Sequence, residues 1–303
     1  VVRFFSRLAP IVFIALACKL SAAEPLNVVA SFSILRDMTQ RVGGERVEVR
    51  ALVGDEADAH VYQPTPADAK TIAQAKLVVI NGFGFEGWIE RLVKSSGYRG
   101  KVVVAAAGVK ALQSVEASTG SPRHARAETD PHAWQDLANA LRYVDNIARA
   151  LGETDPAGAA VYEANARKYK QEISVLDAEI RAGFAGIAKE RRKVVTAHDA
   201  FAYFGRAYGV EFIAPVGINT EAEPSARQIG RIIRQIRDER IPAVFLEGIS
   251  DPRLLEQIQR ESGARAGGKL YSDALSKPGG AAPSYLELMR HNATTLLQAL
   301  TPR

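Results

Sequence analysis

AVYEANARKYKQEISVLDAEIRAGFA, residues 160–185, carries apolar side chains at Tyr162, Ala166, Tyr169, Ile173, Leu176, Ile180 and Phe184, in steps of three and four. That spacing puts them on one stripe of a single long helix. Begun at Pro156, the helix covers about 28 residues and is roughly 42 Å long, enough to run along two domains. A heptad-like stripe of this length also suits a coiled-coil arm. An interdomain strut is the better reading, because alternating strands and helices stand on both sides of it.

On the N-terminal side, 26–30, 47–53, 77–81 and 101–105 read as strands. Helices are expected at 34–42, 66–75 (capped by Thr65) and 87–94, and a longer one at 132–151, stopped by Gly152. On the C-terminal side, 193–196, 210–214, 243–247 and 269–271 read as strands, with helices ending at Tyr208 and over 226–237, 252–262 and 285–300. Short apolar runs alternating with helices predict an α/β fold: two lobes, each a parallel sheet flanked by helices, joined by the long helix. The expected units are a lobe at 24–152, the linking helix at 153–187 and a lobe at 188–303. Residues 112–128, rich in Ser, Gly, Ala and charge, read as a mobile surface loop with His124 in its middle.

Residues 1–23 combine Arg3 and Arg7, an apolar block at 10–17, and Ser21, Ala22 and Ala23. This is the pattern of a signal peptide cut after Ala23, and its apolar core is about 10 residues against the roughly 20 of a membrane span. The alternative is lipidation at Cys18, although Ala15 stands where a lipoprotein box has a larger aliphatic residue. Cleavage removes Arg3, Arg7 and Lys19 and leaves 36 basic against 34 acidic groups, about +2. Such a balance gives no case for nucleic-acid binding. It also removes the sole cysteine, so any metal site must use nitrogen and oxygen donors.

Four residues fall where a parallel sheet places ligands, beyond the C-terminal ends of strands or at a helix start. They are His60, His132, His198 and Asp273. In Thr129–Asp136 the sequence TDPHAWQD lets Asp130 cap a helix with Pro131 in its first turn, and His132 then projects from the helix end. His60 reads either as a side chain packed beside Tyr62 or as a strand-end ligand facing the crevice of His132. Two residues come from each half, so a joint site would lie between the lobes. Three imidazoles and one carboxylate suit tetrahedral Zn2+, whereas Mn2+ prefers more oxygen. Asp58, Asp130, Asp136 and Asp199 are near enough in sequence to orient the imidazoles.

The chain resembles the zinc and manganese solute-binding proteins of bacterial ABC importers. The resemblance rests on His60 with Tyr62, Pro64, Thr65 and Asp68; on Asp130, Pro131, His132 and Trp134; on His198, Asp199, Ala200 and Phe201; on Glu223, Pro224 and Ser225; and on Asp273. It implies two α/β lobes around a rigid helix, and metal binding by the residues matching His60, His132, His198 and Asp273. In that family the position of His198 is glutamate in many manganese members and histidine in zinc members, so zinc is implied. Also implied are a periplasmic location, a membrane permease as partner, and a monomer. Many zinc members carry a long histidine-rich loop after the first lobe, where this chain has only His124. That loop is expected to close over the site, with His124 in passing contact with the ion, or to receive a partner such as a periplasmic zinc chaperone.

Two rivals remain at this level. A zinc hydrolase needs an open fourth position and a general base. Asp273 would fill the former, and Glu221, Glu223 and Glu247, the candidate bases, read more readily as turn and helix-cap carboxylates. A surface adhesin, a role suggested for some similar proteins, would gain only from a lipidated Cys18.

Overall fold

The computed structural model describes residues 24–115, 127–220 and 223–301. The expected signal peptide with Cys18, the central residues of the expected loop with His124, and Glu221 lie outside the described residues.

The first lobe is built from β1 (Leu26–Phe32), α1 (Ser33–Gly43), β2 (Val47–Val53), α2 (Pro66–Ala73), β3 (Leu77–Ile80), α3 (Ile89–Ser95) and β4 (Lys101–Val104). Its parallel sheet has the order β2-β1-β3-β4. Val28, Val29 and Ala30 of β1, between two neighbours, are fully buried, as a central parallel strand with both faces covered requires. Thr65 caps α2 in a capping box with Asp68.

The edges of the expected 112–128 loop are ordered as a hairpin. β5 (Leu112–Val115) and β6 (Ala127–Asp130) pair antiparallel, Leu112 opposite Asp130 and Gln113 opposite Thr129. After β6 the helix does not begin at His132. A single helical turn at Ala133–Gln135 intervenes, and α4 (Leu137–Thr154) starts behind Asp136, whose carboxylate accepts the Ala138 N–H at 2.9 Å. Asp130 bonds to His132 instead of capping a helix, and α4 runs past Gly152 to Thr154.

Then comes α5 (Ala159–Ala185), 27 residues whose buried positions are the seven of the predicted stripe. It packs along α4 and α1 on one side of the molecule and reaches α6 (Ala202–Tyr208) and α9 (Tyr285–Leu300) on the other. Phe184, for example, meets Phe204 and Tyr208 of α6.

The second lobe contains β7 (Lys193–Val195), α6, β8 (Glu211–Ile213), α7 (Ala226–Glu239), β9 (Ala243–Glu247), α8 (Pro252–Ser262), β10 (Arg265–Leu270) and α9, with its parallel sheet ordered β10-β9-β7-β8. β10 begins four residues before the apolar run that marks it. The Arg265–Gly268 segment passes so close to Phe245 that a Cβ at Gly267 would lie 2.4 Å from its ring, and Gly268 has φ +113°. Only glycine allows that approach and that backbone.

The largest apolar core is continuous across both lobes, from Val28 and Leu77 through Trp134, Tyr162 and Phe184 to Phe204, Leu275 and Leu296. A separate cluster, including Val195, Ile232, Ile236, Val244, Leu255 and Ile258, lies under α7 and α8.

Candidate metal centre

His60 lies on the loop that follows β2. Asp58 Oδ1 accepts its backbone N–H at 2.8 Å, and the neighbouring Ala59 carbonyl accepts the Trp88 indole N–H at 2.9 Å. The Phe85 ring stands edge-on to the imidazole, 4.7 Å between centroids. These contacts fix the loop and turn the ring towards the lobe interface.

His132 follows β6 and is fully buried. Asp130 Oδ1 accepts its backbone N–H at 2.9 Å and lies 2.8 Å from its Nδ1, in an Asx-type turn. With the Nδ1 proton directed to Asp130, Nε2 keeps its lone pair for the site. The Asn81 side-chain amide donates to the Pro131 carbonyl at 2.9 Å, so the loops leaving β3 and β6 hold each other.

His198 is reached from β7 in the second lobe by the same logic. Glu247, at the end of β9, accepts the N–H groups of Ala197 and His198 on Oε1 at 2.6 and 3.0 Å. Its Oε2 lies 2.7 Å from His198 Nδ1. Among the three sequence-level candidate bases, Glu247 therefore acts as the support of an imidazole. Burial by itself would push the His198 imidazole down, but the facing carboxylates of Glu247 and Asp273 outweigh it and hold the imidazole well above its ordinary value.

Asp273 follows β10 and is fully buried. Burial alone would raise its carboxyl, yet His132 and His198 beside it hold it well below the usual carboxylate range. Neither of its oxygens receives a well-directed hydrogen bond. Instead Oδ2 lies 3.1 Å from His198 Nε2 and 3.5 Å from His60 Nε2, and Oδ1 lies 3.5 Å from His132 Nε2. The Nε2 atoms of His60 and His132 are 3.2 Å apart. Four ligands at about 2.05 Å from a tetrahedral ion are about 3.3 Å from one another. The observed spacings straddle that value, and all four donor groups lie within 4.8 Å of one another.

All four residues read from the sequence thus converge on one buried point between the lobes. Of the four aspartates expected to orient the imidazoles, Asp130 meets a ring nitrogen; Asp58 instead accepts the His60 backbone N–H, Asp136 caps α4, and the Asp199 N–H donates to the Gly217 carbonyl at 3.2 Å. Glu223 is exposed, on the wall of a cavity of about 490 Å³ that also touches His198. Sequence reasoning missed Phe85, which packs against His60, His132 and Trp134. It also missed Glu86, whose buried Oε1 accepts the Ser31 hydroxyl and the Asn81 N–H. The available signal was their place in NGFGFE, a glycine-rich turn directly after a strand.

Comparison with known proteins places this geometry among metal carriers. The family model for ZnuA, zinc-uptake complex component A periplasmic, matches residues 28–299. A manganese-binding lipoprotein, MntA, of Halalkalibacterium halodurans is 34% identical over 278 residues, 92% of this chain and 89% of the relative. The iron-binding protein YfeA of Yersinia pestis is 35% identical over 274 residues, 90% of this chain and 86% of the relative. Among solved structures, the periplasmic zinc binding protein TroA of Treponema pallidum superposes with a TM-score of 0.83 at 27% identity, covering 92% of this chain and all of that one.

Proposed function

The chain belongs to the family of zinc-uptake complex component A, the periplasmic metal-binding component of ABC importers, and from that premise we propose that it captures one Zn2+ between its lobes and delivers it to the membrane permease. Members of this family are carriers and not enzymes, and their role implies a permease as partner. In this reading His60, His132, His198 and Asp273 are the ligands. Residues 24–152 and 188–303 act as the two lobes and 153–187 as the link between them. Residues 1–23 direct export and are then removed, the carrier works as a monomer, and a periplasmic zinc chaperone is a candidate donor.

The observation that carries the choice of zinc is the donor set: three imidazole nitrogens and one carboxylate gathered within 4.8 Å of one another, the ligand types and number of a four-coordinate zinc site. Asp130 and Glu247 add to it by orienting two of the imidazoles. A manganese reading is favoured by a different observation. Both Asp273 oxygens turn towards the imidazoles, which permits a bidentate carboxylate and five-coordination, and the relatives above include one named for manganese and one for iron.

Affinity ranking in vitro does not separate these readings, because nitrogen and oxygen sites generally hold zinc more tightly than manganese. The metal carried in the cell does. Protein isolated from periplasm without added metal is expected to contain one Zn2+ per chain in a four-coordinate, three-nitrogen environment by X-ray absorption. Manganese or iron in a five- or six-coordinate environment would replace zinc as the cargo, and no bound metal would remove the carrier reading.

Protons compete with the ion for the same imidazoles, since only the neutral ring binds metal. His198 is held above its ordinary value by Glu247 and Asp273, so in the metal-free protein it keeps its proton to higher pH than a free histidine of about 6.5. Zinc binding must displace that proton. Affinity is therefore expected to fall steadily as pH is lowered from about 7.5 to about 5.5, with proton release visible as a buffer-dependent binding enthalpy. An affinity flat over that range would contradict a site based on three histidines.

A further inference from the structure

Three of the four donors are braced against one another by bonds between the lobes. The Ser272 carbonyl, next to Asp273, accepts the Trp134 indole N–H at 2.9 Å and the Gln135 side-chain amide at 2.8 Å. The Leu275 N–H donates to Ser33 Oγ at 3.0 Å, and the Leu275 carbonyl accepts the Glu56 N–H at 2.9 Å. The backbone carrying Asp273 is thus fastened to the elements that carry His60 and His132.

His198 stands where the two apolar cores meet, with Ala197 before it in the smaller cluster and Ala200 after it in the main one. It pairs with Val216 in an isolated parallel bridge, and the Asp199 N–H donates to the Gly217 carbonyl at 3.2 Å, so segment 216–220 moves with it. The cavity of about 490 Å³ opens beside it, with Asp58, Val216 and Thr220 also in its wall. Across this gap the Thr220 hydroxyl donates to Asp58 Oδ2 at 2.7 Å. The other oxygen of the same carboxylate holds the His60 N–H.

We propose that Asp58 and Thr220 form a clasp across the cleft that sets how long the bound ion is retained, as positioning residues for His60 and His198. The inference rests on the carrier reading and extends it to the rate of release. One carboxylate links the backbone of a ligand in the first lobe to the segment paired with a ligand in the second. Opening the cavity wall separates the two imidazoles only if this bond breaks. Asp58 therefore couples withdrawal of His198 to loosening of the His60 loop, without itself touching the metal.

The test is release of Zn2+ from the loaded protein into excess chelator, followed by stopped flow, in Thr220→Val, Thr220→Ser and Asp58→Ala. Valine keeps the shape and removes the hydroxyl, and a hydrogen bond to a charged acceptor is worth about a tenfold change. Release from Thr220→Val is expected to be about tenfold faster with little change in the association rate, while Thr220→Ser stays near wild type. Asp58→Ala should release faster still, and adding Thr220→Val to it should change little further. Wild-type release from Thr220→Val, with the metal-free melting temperature unchanged, would overturn the clasp, as would equal effects of valine and serine. Wild-type protein that binds no zinc would overturn the carrier reading and the clasp together; zinc held normally and released at one rate by all variants would overturn the clasp alone.

Discussion

Asp273→Ala is expected to weaken zinc binding by at least about a hundredfold, since changing residues that merely orient metal ligands already costs about ten- to a hundredfold. The substitution removes the carboxylate on which all three imidazoles converge. It also removes the negative charge that, with Glu247, favours a cation at this buried point. The metal-free protein should fold, because the neighbouring backbone is held through Ser272 and Leu275 and not through the Asp273 side chain. Isothermal titration with zinc against circular dichroism of the metal-free variant separates the two effects. Affinity within about tenfold of wild type would place the ion elsewhere.

Trp134→Ala is expected to cost about 3–5 kcal/mol of stability, the usual range for removing a fully buried large aromatic side chain. Trp134 is completely buried and packs on Phe32, Phe85 and His132 with ring centroids 4.9–5.3 Å away. Its indole N–H binds the Ser272 carbonyl, and its own carbonyl accepts the Tyr285 hydroxyl. The alanine variant therefore opens a cavity and loosens a bond between the lobes at the same place. Denaturant unfolding of the metal-free protein should show the loss, and a change below about 1 kcal/mol would mean that the surrounding aromatics collapse into the gap.

Much of this architecture is legible in the chain because it is periodic. The stripe from Tyr162 to Phe184 names the buried face of α5 residue by residue, and the apolar runs at 47–53 and 243–247 coincide with β2 and β9. Where chemistry is local but ambiguous, the reading slips. Both Asp130 and Asp136 suit a helix cap, and only the three-dimensional demand of the His132 ring assigns Asp130 to the imidazole and Asp136 to α4. The β5–β6 hairpin is invisible because its strands are short and polar, their pairing supplied by backbone bonds that carry no side-chain signature. The start of β10 escapes notice because Gly267, which lies against Phe245, and Gly268, with its positive φ, erase the apolar pattern.

The candidate site shows the same division. His132, His198 and Asp273 are readable because each stands just past a strand end, and His60 because it lies on the loop between β2 and α2, where ligands concentrate. Their supports are harder to find. Glu247 meets His198 across 49 positions of sequence, and Trp134 meets Ser272 across 138, separations that no local pattern encodes.

Because α5 lies against both lobes as one unbroken 27-residue rod, about 40 Å long, the cost of assembling the cleft is met once, when the chain folds. A binder whose halves tumble freely must spend part of its gross affinity on stilling that motion each time a ligand arrives. Here little rotational entropy is left to lose, so even a ligand as small as a metal ion is spared that cost. The corollary falls on the receiving side. Thermal swinging of the halves does little to eject the cargo, and the work of unloading passes to the transporter that docks with the protein.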